Sequence, residues 1–210
     1  MVDKETSWRY AEEFVVEPDA IAAARRHSME LGVEPVTPAM GAQLALLAAA
    51  SGSHSIVEIG TGAGVSGLWL LRGAPLAVLT SIDSEFEYQQ VARTAFADAA
   101  VPANRIRLIT GNATEVLPRM NDGAYDLVFV DADPESVLDY VQHGLRIARR
   151  GGIVVVAHAL WRGHVADPAQ RGDTVADFRA LLATVAESPA VSASLSTAGD
   201  GLLQLVKLSD

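Results

Sequence analysis

The chain has 210 residues, half of them hydrophobic, and a formal net charge of −10 at neutral pH. This length allows one well-buried domain, and the negative charge disfavours a nucleic-acid partner, which would need a basic surface. The sequence contains no cysteine, so disulfides and thiolate metal sites are excluded, as suits a cytoplasmic protein. We expect no signal peptide and no membrane span, because no apolar run reaches the ~20 residues that a span requires.

The N-terminal part is predicted to form a helical arm. The arm covers residues 1–35 and packs as one globular unit with a main domain of residues 36–210. Residues 1–18 are polar with scattered aromatic side chains, a composition that suits an arm closing over a site or over a neighbouring subunit. Capping residues and a proline then predict helices at about 19–31 and 38–50.

From residue 56 onward, short apolar strands alternate with helices. The predicted strands are 56–59, 77–82, 106–109, 125–130 and 153–156, and the helices after them are 65–72, 86–100, 113–120 and 135–149. Apolar strands joined by helices indicate a parallel sheet covered on both faces. A helix at 174–187 and a hairpin of strands 191–197 and 202–208 follow. The predicted fold is therefore α/β, a single domain whose mostly parallel seven-stranded sheet ends in an antiparallel hairpin.

The first strand of the sheet leads into a glycine-rich turn, Gly60-Thr61-Gly62-Ala63-Gly64, and then into a helix. This arrangement offers backbone N–H groups and a helix N-terminus to a ligand. The glycine spacing also matches the NAD fingerprint. The register argues against NAD, because the turn begins directly at the strand end. No Tyr-x-x-x-Lys pair for hydride chemistry exists either, because lysine occurs only at Lys4 and Lys207. The turn predicts a ligand site other than one for NAD.

Polar residues also stand at the carboxyl ends of the next strands, where open α/β sheets bind ligands. Asp83 is expected to accept hydrogen bonds from a ribose diol, with capping of the next helix as the alternative. Asn112 can offer its amide to the edge of a base, or it can cap a helix. Glu58, inside an apolar strand, must meet a cation or hydrogen-bond donors, because burying an unpaired carboxylate is costly.

Several motifs occur together. They are Val57-Glu58-Ile59-Gly60-Thr61-Gly62-Ala63-Gly64-Val65-Ser66, Ile82-Asp83, Gly111-Asn112-Ala113, Phe129-Val130-Asp131-Ala132-Asp133 and Leu160-Trp161-Arg162-Gly163. In combination they resemble the catechol and caffeoyl-CoA type O-methyltransferases, particularly the bacterial, actinobacterial branch. The resemblance covers about residues 30–210. It implies a Rossmann-like class I methyltransferase fold, a small hydroxylated acceptor, a homodimer, and S-adenosylmethionine as the cofactor, which leaves as S-adenosylhomocysteine.

The resemblance also assigns cofactor contacts. The family contacts fall on Val36, Glu58, Gly60, Thr61, Ser66, Asp83 and Ala113. The position at the strand ends adds Gly62, Asn112, Asp131 and Asp133 to the predicted cofactor-binding residues.

The sequence departs from the family at its metal site. The family binds a divalent metal through an aspartate at the position of Asp131 and an Asp-Asn pair after the fifth strand, which here is Ala157-His158. The family lysine that is often given the role of base is Pro134. We therefore expect the usual Mg²⁺ site to be incomplete, with Asp131 as its remaining ligand. His158 and Asp131 are the predicted catalytic residues.

The role of His158 stays open at this point. It can serve as a general base, or it can join Asp131 in a softer transition-metal site that His164 and Asp167 would complete. It can also be structural, or shape the substrate site.

Three functions remain possible from the sequence. The first is O-methylation of a phenol or catechol with little or no metal dependence. The second is methylation of a tRNA hydroxyuridine, which needs a basic face for which Arg146, Arg149 and Arg150 form the only cluster. The third is a module that binds S-adenosylmethionine without turnover.

Overall fold

The computed structural model describes residues 3–209, except the side chain of Lys4, and this part of the chain forms eight α-helices and seven strands. The helices are α1 Lys4–Glu13, α2 Asp19–Glu30, α3 Pro38–Ala50, α4 Val65–Gly73, α5 Phe86–Asp98, α6 Ala113–Val116, α7 Val137–Ile147 and α8 Asp173–Glu187. The strands are β1 Ser55–Ile59, β2 Val78–Asp83, β3 Ile106–Thr110, β4 Tyr125–Val130, β5 Ala148–Val156, β6 Val191–Ser196 and β7 Leu202–Lys207. Residues 1 and 2 of the predicted arm and residue 210 of the predicted domain lie outside the described part.

The strands form one sheet in the order β3-β2-β1-β4-β5-β7-β6. Strands β1 to β5 pair in parallel, and β7 is antiparallel to both β5 and β6. This arrangement confirms the predicted parallel sheet with a terminal hairpin. The chain builds outward from β1 through β2 to β3 and then returns to place β4 on the other side of β1. The strand order therefore reverses between β1 and β4, the usual position of a ligand crevice in such sheets.

Each face of the sheet is covered by its own apolar core. Along β4, Leu127 and Phe129 belong to the core that α2 to α5 cover, whereas Val128 and Val130 belong to the core beneath α7 and α8. Successive side chains of a strand point to opposite faces, so a strand in the middle of the sheet must be apolar throughout. This explains the continuous apolar runs in the sequence.

The N-terminal helix packs against the rest of the chain. Helix α1 contacts α3, and the Glu12 carboxylate accepts a hydrogen bond from the backbone N–H of Gly199, in the turn between β6 and β7 (3.0 Å). Trp8, Tyr10 and Phe14 are exposed. Among the described helices, none combines the length and the apolar composition needed to cross a membrane.

Three predicted helices are clearly shorter than the sequence indicated. Helix 86–100 ends at Asp98. The predicted helix 113–120 leaves the α conformation after Val116 and continues as a 3₁₀ turn with Pro118 at its centre, because proline has no N–H for the helix ladder. The predicted helix 135–149 ends at Ile147. There β5 begins, five residues earlier than predicted, since Ala148 pairs with Tyr125 and Arg149 binds Asp126. Tertiary pairing here overrides helix propensity.

Helices α3 and α4 approach closely at two glycines. A Cβ added at Gly41 would lie 2.2 Å from the Trp69 indole, and one added at Gly73 would lie 2.0 Å from the carbonyl oxygen of Ala45. Both distances are far below a van der Waals contact. Helix α4 follows the glycine turn directly, so this packing helps to fix the turn in place.

We expect Gly73→Ala to lower the free energy of unfolding by about 1–3 kcal/mol, the usual cost of overpacking. Chemical denaturation measures it. Gly172→Ala is the matched control, because Gly172 has a negative φ and no atom within 4 Å of its added Cβ. Equal unfolding midpoints for the two variants would contradict the proposed close packing.

Candidate active site

A cavity of about 320 Å³ opens at the carboxyl ends of β1 to β4, where the strand order reverses. It collects most of the predicted cofactor-binding residues. Those that line it are Val36, Gly60, Thr61, Gly62, Ser66, Asp83, Asn112, Ala113, Asp131 and Asp133. Of the predicted site residues, Glu58 and His158 do not line this cavity. Glu58 lies beneath the cavity, and His158 lines a narrow cleft that shares Asp131 with it.

The glycine turn is held by Asp83. Its Oδ2 atom accepts hydrogen bonds from the backbone N–H groups of Thr61 (2.8 Å) and Gly62 (2.9 Å). Its Oδ1 atom accepts one from the N–H of Glu85 (2.9 Å), the residue that precedes α5. The carboxylate thus uses three of its roughly four acceptor sites on backbone groups. Asp83 thus holds the turn and the residue before α5 without binding an N–H group of the helix itself, and the ribose contact stays a prediction.

The turn also passes very close to the end of β4. Gly60 has a φ of +95°, and a Cβ there would lie 1.9 Å from the carbonyl oxygen of Asp131. Only glycine combines that backbone angle with so close an approach. The turn after β1 and the residues after β4 therefore form adjoining walls of the cavity.

Asn112 acts as a helix cap in the structure. Its Oδ1 atom accepts hydrogen bonds from the backbone N–H (2.9 Å) and the hydroxyl (2.8 Å) of Thr114, at the start of α6. The amide oxygen is therefore used by the protein, and the contact of Asn112 with a base stays a prediction. Ala113 follows it, buried against the cavity.

Glu58 is fully buried and receives two hydroxyl donors. Ser66 donates to Oε1 (2.7 Å) and Ser81 to Oε2 (2.6 Å). The sequence required a cation or donors here, and the structure supplies donors. Burial raises the pKa of Glu58 to about 7; the two serine hydrogen bonds oppose this effect, and the charges of Asp131 and Asp83 add to it. Since Ser66 lines the cavity, the buried carboxylate is one hydrogen bond away from it.

His158 lies between two carboxylates. Its Nε2 atom is 3.4 Å from Oδ1 of Asp131, and its Nδ1 atom is 3.6 Å from Oδ2 of Asp200. The neighbouring Asp131 carboxylate raises the pKa of His158 above its ordinary value, burial opposes this effect, and the charges of Asp200 and Glu34 reinforce it. The backbone of His158 is left-handed, with φ +56°, which turns the chain out of β5 at this point.

A family model described as O-methyltransferase matches residues 11–208. The chain belongs to the O-methyltransferase family. This confirms the resemblance found in the sequence and extends it toward the N-terminus, into α1.

Relatives and solved structures agree with this assignment. A probable O-methyltransferase of Mycobacterium tuberculosis is 46% identical over 204 residues, which cover 97% of this chain and 91% of that protein. A Corynebacterium glutamicum structure shares 29% identity over 99% of both chains, with a TM-score of 0.90. TomG of Streptomyces achromogenes, an O-methyltransferase involved in tomaymycin synthesis and solved in complex with S-adenosylmethionine, shares 26% identity over 99% of this chain and 100% of its own, with a TM-score of 0.87.

The residues present do not fit the divalent metal site that the family resemblance implies. Within residues 3–209, no group of three or more His, Cys, Asp or Glu side chains is placed to hold a metal ion. His158 lies beside Asp131, and among the described residues His164 and Asp167 do not complete a ligand group with these two. Mg²⁺ prefers six oxygen ligands, so one carboxylate and one imidazole are a poor match.

Asp133 has a buried partner. The hydroxyl of Tyr140, on α7, donates a hydrogen bond to Oδ1 of Asp133. Burial raises the pKa of Tyr140 to about 12, and the Asp133 carboxylate adds to this effect, so the hydroxyl stays protonated and remains a donor. Tyr140 also lines the cavity.

The segment over the cavity is held by residues that the sequence did not single out. Arg25 forms two hydrogen bonds with Glu17 (2.7 and 2.8 Å) and a third with the carbonyl oxygen of Val36 (2.7 Å). Ser28 donates to the carbonyl oxygen of Val33 (2.8 Å). Helix α2 thereby fixes the approach of Val36 to the cavity.

The narrow cleft beside His158 is lined by Trp161 and Phe178, whose rings stack at 5.7 Å between centroids. Trp161 thus packs against another side chain of the protein. Arg146 and Arg149, from the basic cluster, bind Asp122 and Asp126 respectively. Their charges are therefore paired within the protein.

We expect Glu58→Gln to change the pH dependence of stability. Because the pKa of Glu58 is about 7 in the fold and 4.5 ordinarily, the folded wild type holds more protons between these values and loses stability as pH rises through this window. Between pH 5 and pH 8, the free energy of unfolding of the variant should therefore rise relative to that of the wild type. The rise should be about 1.4 kcal/mol for each pH unit by which the fold raises the pKa of Glu58. Urea unfolding at both pH values measures this.

Glu87→Gln is the control, since it removes the same charge from an exposed position on α5. If both variants changed equally with pH, the burial effect on Glu58 would be absent.

Proposed function

We propose that this protein is an S-adenosylmethionine-dependent O-methyltransferase that acts on a small phenol- or catechol-like acceptor without the usual divalent metal site. The observation that carries the proposal is the cavity at the ends of β1 to β4, bounded by the glycine turn and opening beside Asp131. Family membership gives the reaction class, and the S-adenosylmethionine bound to TomG supports the identity of the cofactor.

The residues of the cavity fit this cofactor. Asp83 keeps one acceptor site for a ribose hydroxyl after binding the turn. Asn112 and Ala113 would border the base, and Val36 and Ser66 the methionine part, as the family resemblance implies. When bound, S-adenosylmethionine supplies an electrophilic methyl group on a sulfonium. The protein must then position an acceptor hydroxyl and remove its proton.

Asp131 and His158 are the groups that would act on the acceptor. Asp131 reaches both the cavity and the cleft that holds His158. Its carboxylate would accept a hydrogen bond from the hydroxyl, and the neutral imidazole of His158 would take the proton. Pro134 carries no base, and Ala157 carries no ligand. Asp131 and His158 would therefore replace the metal and the lysine that the family resemblance implies. The raised pKa of His158 makes it a stronger base that is available only at higher pH.

A small acceptor fits the charge distribution better than an RNA does. The cavity is lined by Glu34, Asp83, Glu85, Asp131 and Asp133, and by no lysine or arginine among the described residues. Nucleic acids need such cations to bind their phosphates. The homodimer, the cytoplasmic location and the division into arm and domain stay predictions; the exposed aromatic side chains of α1 are compatible with a subunit contact.

We expect methyl transfer from labelled S-adenosylmethionine to a panel of phenols and catechols, and we expect it to persist in EDTA. Calorimetry with the same protein should detect binding of S-adenosylmethionine. Asp131→Ala should abolish transfer but spare cofactor binding, because Asp131 would act on the acceptor.

Each other outcome would exclude part of this proposal. Turnover only with added Mg²⁺ would show that a metal site is rebuilt around Asp131. Binding without turnover would favour a non-catalytic module. No binding would overturn the cofactor assignment.

We expect the transfer rate to rise with pH through a pKa above 6.5, because only the neutral imidazole of His158 can accept a proton. His158→Gln should abolish this rise. Asp200→Asn should move it to lower pH, since removing a neighbouring carboxylate destabilises the imidazolium; the amide oxygen can still accept from the N–H of Arg162, which Asp200 binds at 2.6 Å. A pH series of kcat measures both effects.

Asp98→Asn removes the same charge from the exposed end of α5 and serves as the control. An unchanged pH profile in His158→Gln would show that another group is the base.

A further inference from the structure

Gln89 is a buried polar residue that the proposed reaction does not use. It lies on α5 with 3% of its surface exposed and does not line the cavity. All of its hydrogen-bonding groups are nevertheless engaged: Nε2 donates to the carbonyl oxygen of Ile109 (2.9 Å) and to the hydroxyl of Thr61 (3.3 Å), and Oε1 accepts from the hydroxyl of Thr110 (2.7 Å). So complete a set of contacts indicates a fixed side chain.

These contacts join two separate walls of the cavity. Thr61 belongs to the turn after β1, whereas Ile109 and Thr110 end β3. The two strands are not neighbours, because β2 lies between them. On the cavity side, Thr61 and Gly62 line one wall, and Gly111 lines the other, directly after Thr110. Gln89 therefore spans the end of β2 and links both walls from behind.

The link continues below the cavity. The hydroxyl of Thr61 is 2.7 Å from that of Ser81, which donates to Glu58. Glu58 in turn accepts from Ser66, at the start of α4. A continuous chain of side-chain hydrogen bonds thus runs from α4 to the end of β3, and Gln89 is its only member on α5 among the described residues. In a buried network of this kind, removing one member leaves its partners unsatisfied.

We propose that Gln89 is a positioning residue that fixes the distance between the glycine turn and the end of β3, and thereby sets the affinity for the nucleoside part of the cofactor. This inference rests on the proposed function, since it assumes that S-adenosylmethionine lies between these walls. Gln89 acts through Thr61, Ile109 and Thr110 and does not touch the reacting atoms. Its loss should weaken cofactor binding and leave the methyl transfer step itself unchanged.

Gln89→Met tests the proposal, because methionine keeps the length of the side chain and removes its hydrogen bonds. Calorimetry with S-adenosylhomocysteine should show Kd raised roughly 10-fold, which corresponds to one interaction of about 1.4 kcal/mol. The KM for S-adenosylmethionine should rise similarly, with kcat at saturation within about 2-fold of the wild type. Gln90→Met, on the exposed side of the same helix, should leave both values unchanged.

A double-mutant cycle separates positioning from a general loss of stability. Thr110→Val removes the donor to Oε1 of Gln89 and should also raise Kd. If both residues act through this link, the double variant should bind no more weakly than Gln89→Met alone. Thr110→Val also provides the measurement should Gln89→Met fail to fold.

The outcomes distinguish this inference from the function on which it rests. A wild type that does not bind S-adenosylhomocysteine overturns the cofactor assignment and the role of Gln89 together. A wild type that binds, with variants that melt earlier but bind equally well, overturns the role of Gln89 alone. Independent, additive losses in the double-mutant cycle do the same.

Discussion

The candidate site depends first on the hydrogen bonds by which the Asp83 carboxylate holds the glycine turn. Two N–H groups of the turn, on Thr61 and Gly62, point at a single carboxylate oxygen at the end of the neighbouring strand. This contact joins the ends of β1 and β2. On its other side the turn lies against the end of β4, where Gly60 leaves no room for a side chain. The walls of the cavity at the ends of β1, β2 and β4 are therefore fixed relative to one another.

Beneath this turn lies a layer of polar side chains in an otherwise apolar sheet. A buried carboxylate in the central strand is unfavourable, and its raised pKa reflects this. Hydroxyls from α4 and β2 reduce the cost by donating to Glu58, and Gln89 extends the layer to the end of β3. Such a fully satisfied network favours one arrangement of its members, because other arrangements leave buried groups unpaired. The buried carboxylate lowers the stability of the fold, and the network that satisfies it defines the geometry under the cavity.

The sequence predicted the sheet, its terminal hairpin and ten of the residues that line the cavity, because these follow from local patterns and from the rule that parallel strands end at one edge. It predicted Asp83 at the end of β2 but not four other residues that hold the lining in place. Arg25, Gln89, Tyr140 and Asp200 each act on a segment that is distant in the chain or on the far side of a turn. A polar side chain on the apolar face of α5 was the one available signal for Gln89. The early start of β5 was missed for the same reason, since it depends on pairing with β4.

Under the proposed function, the replacement of the family metal ligands concentrates two roles in His158. When protonated, its ring supplies a single positive charge beside Asp131; when neutral, it can accept the proton of the acceptor hydroxyl. One ring cannot do both at the same time, so the pH at which it changes state decides which role is available. Asp131, Asp200 and Glu34 all favour the charged state, and burial opposes them. Because Ala157 offers no oxygen ligand, the proposed mechanism assigns no part of this work to a hard divalent cation. In that mechanism, the carboxylates around the imidazole set the conditions under which the site can deprotonate an acceptor.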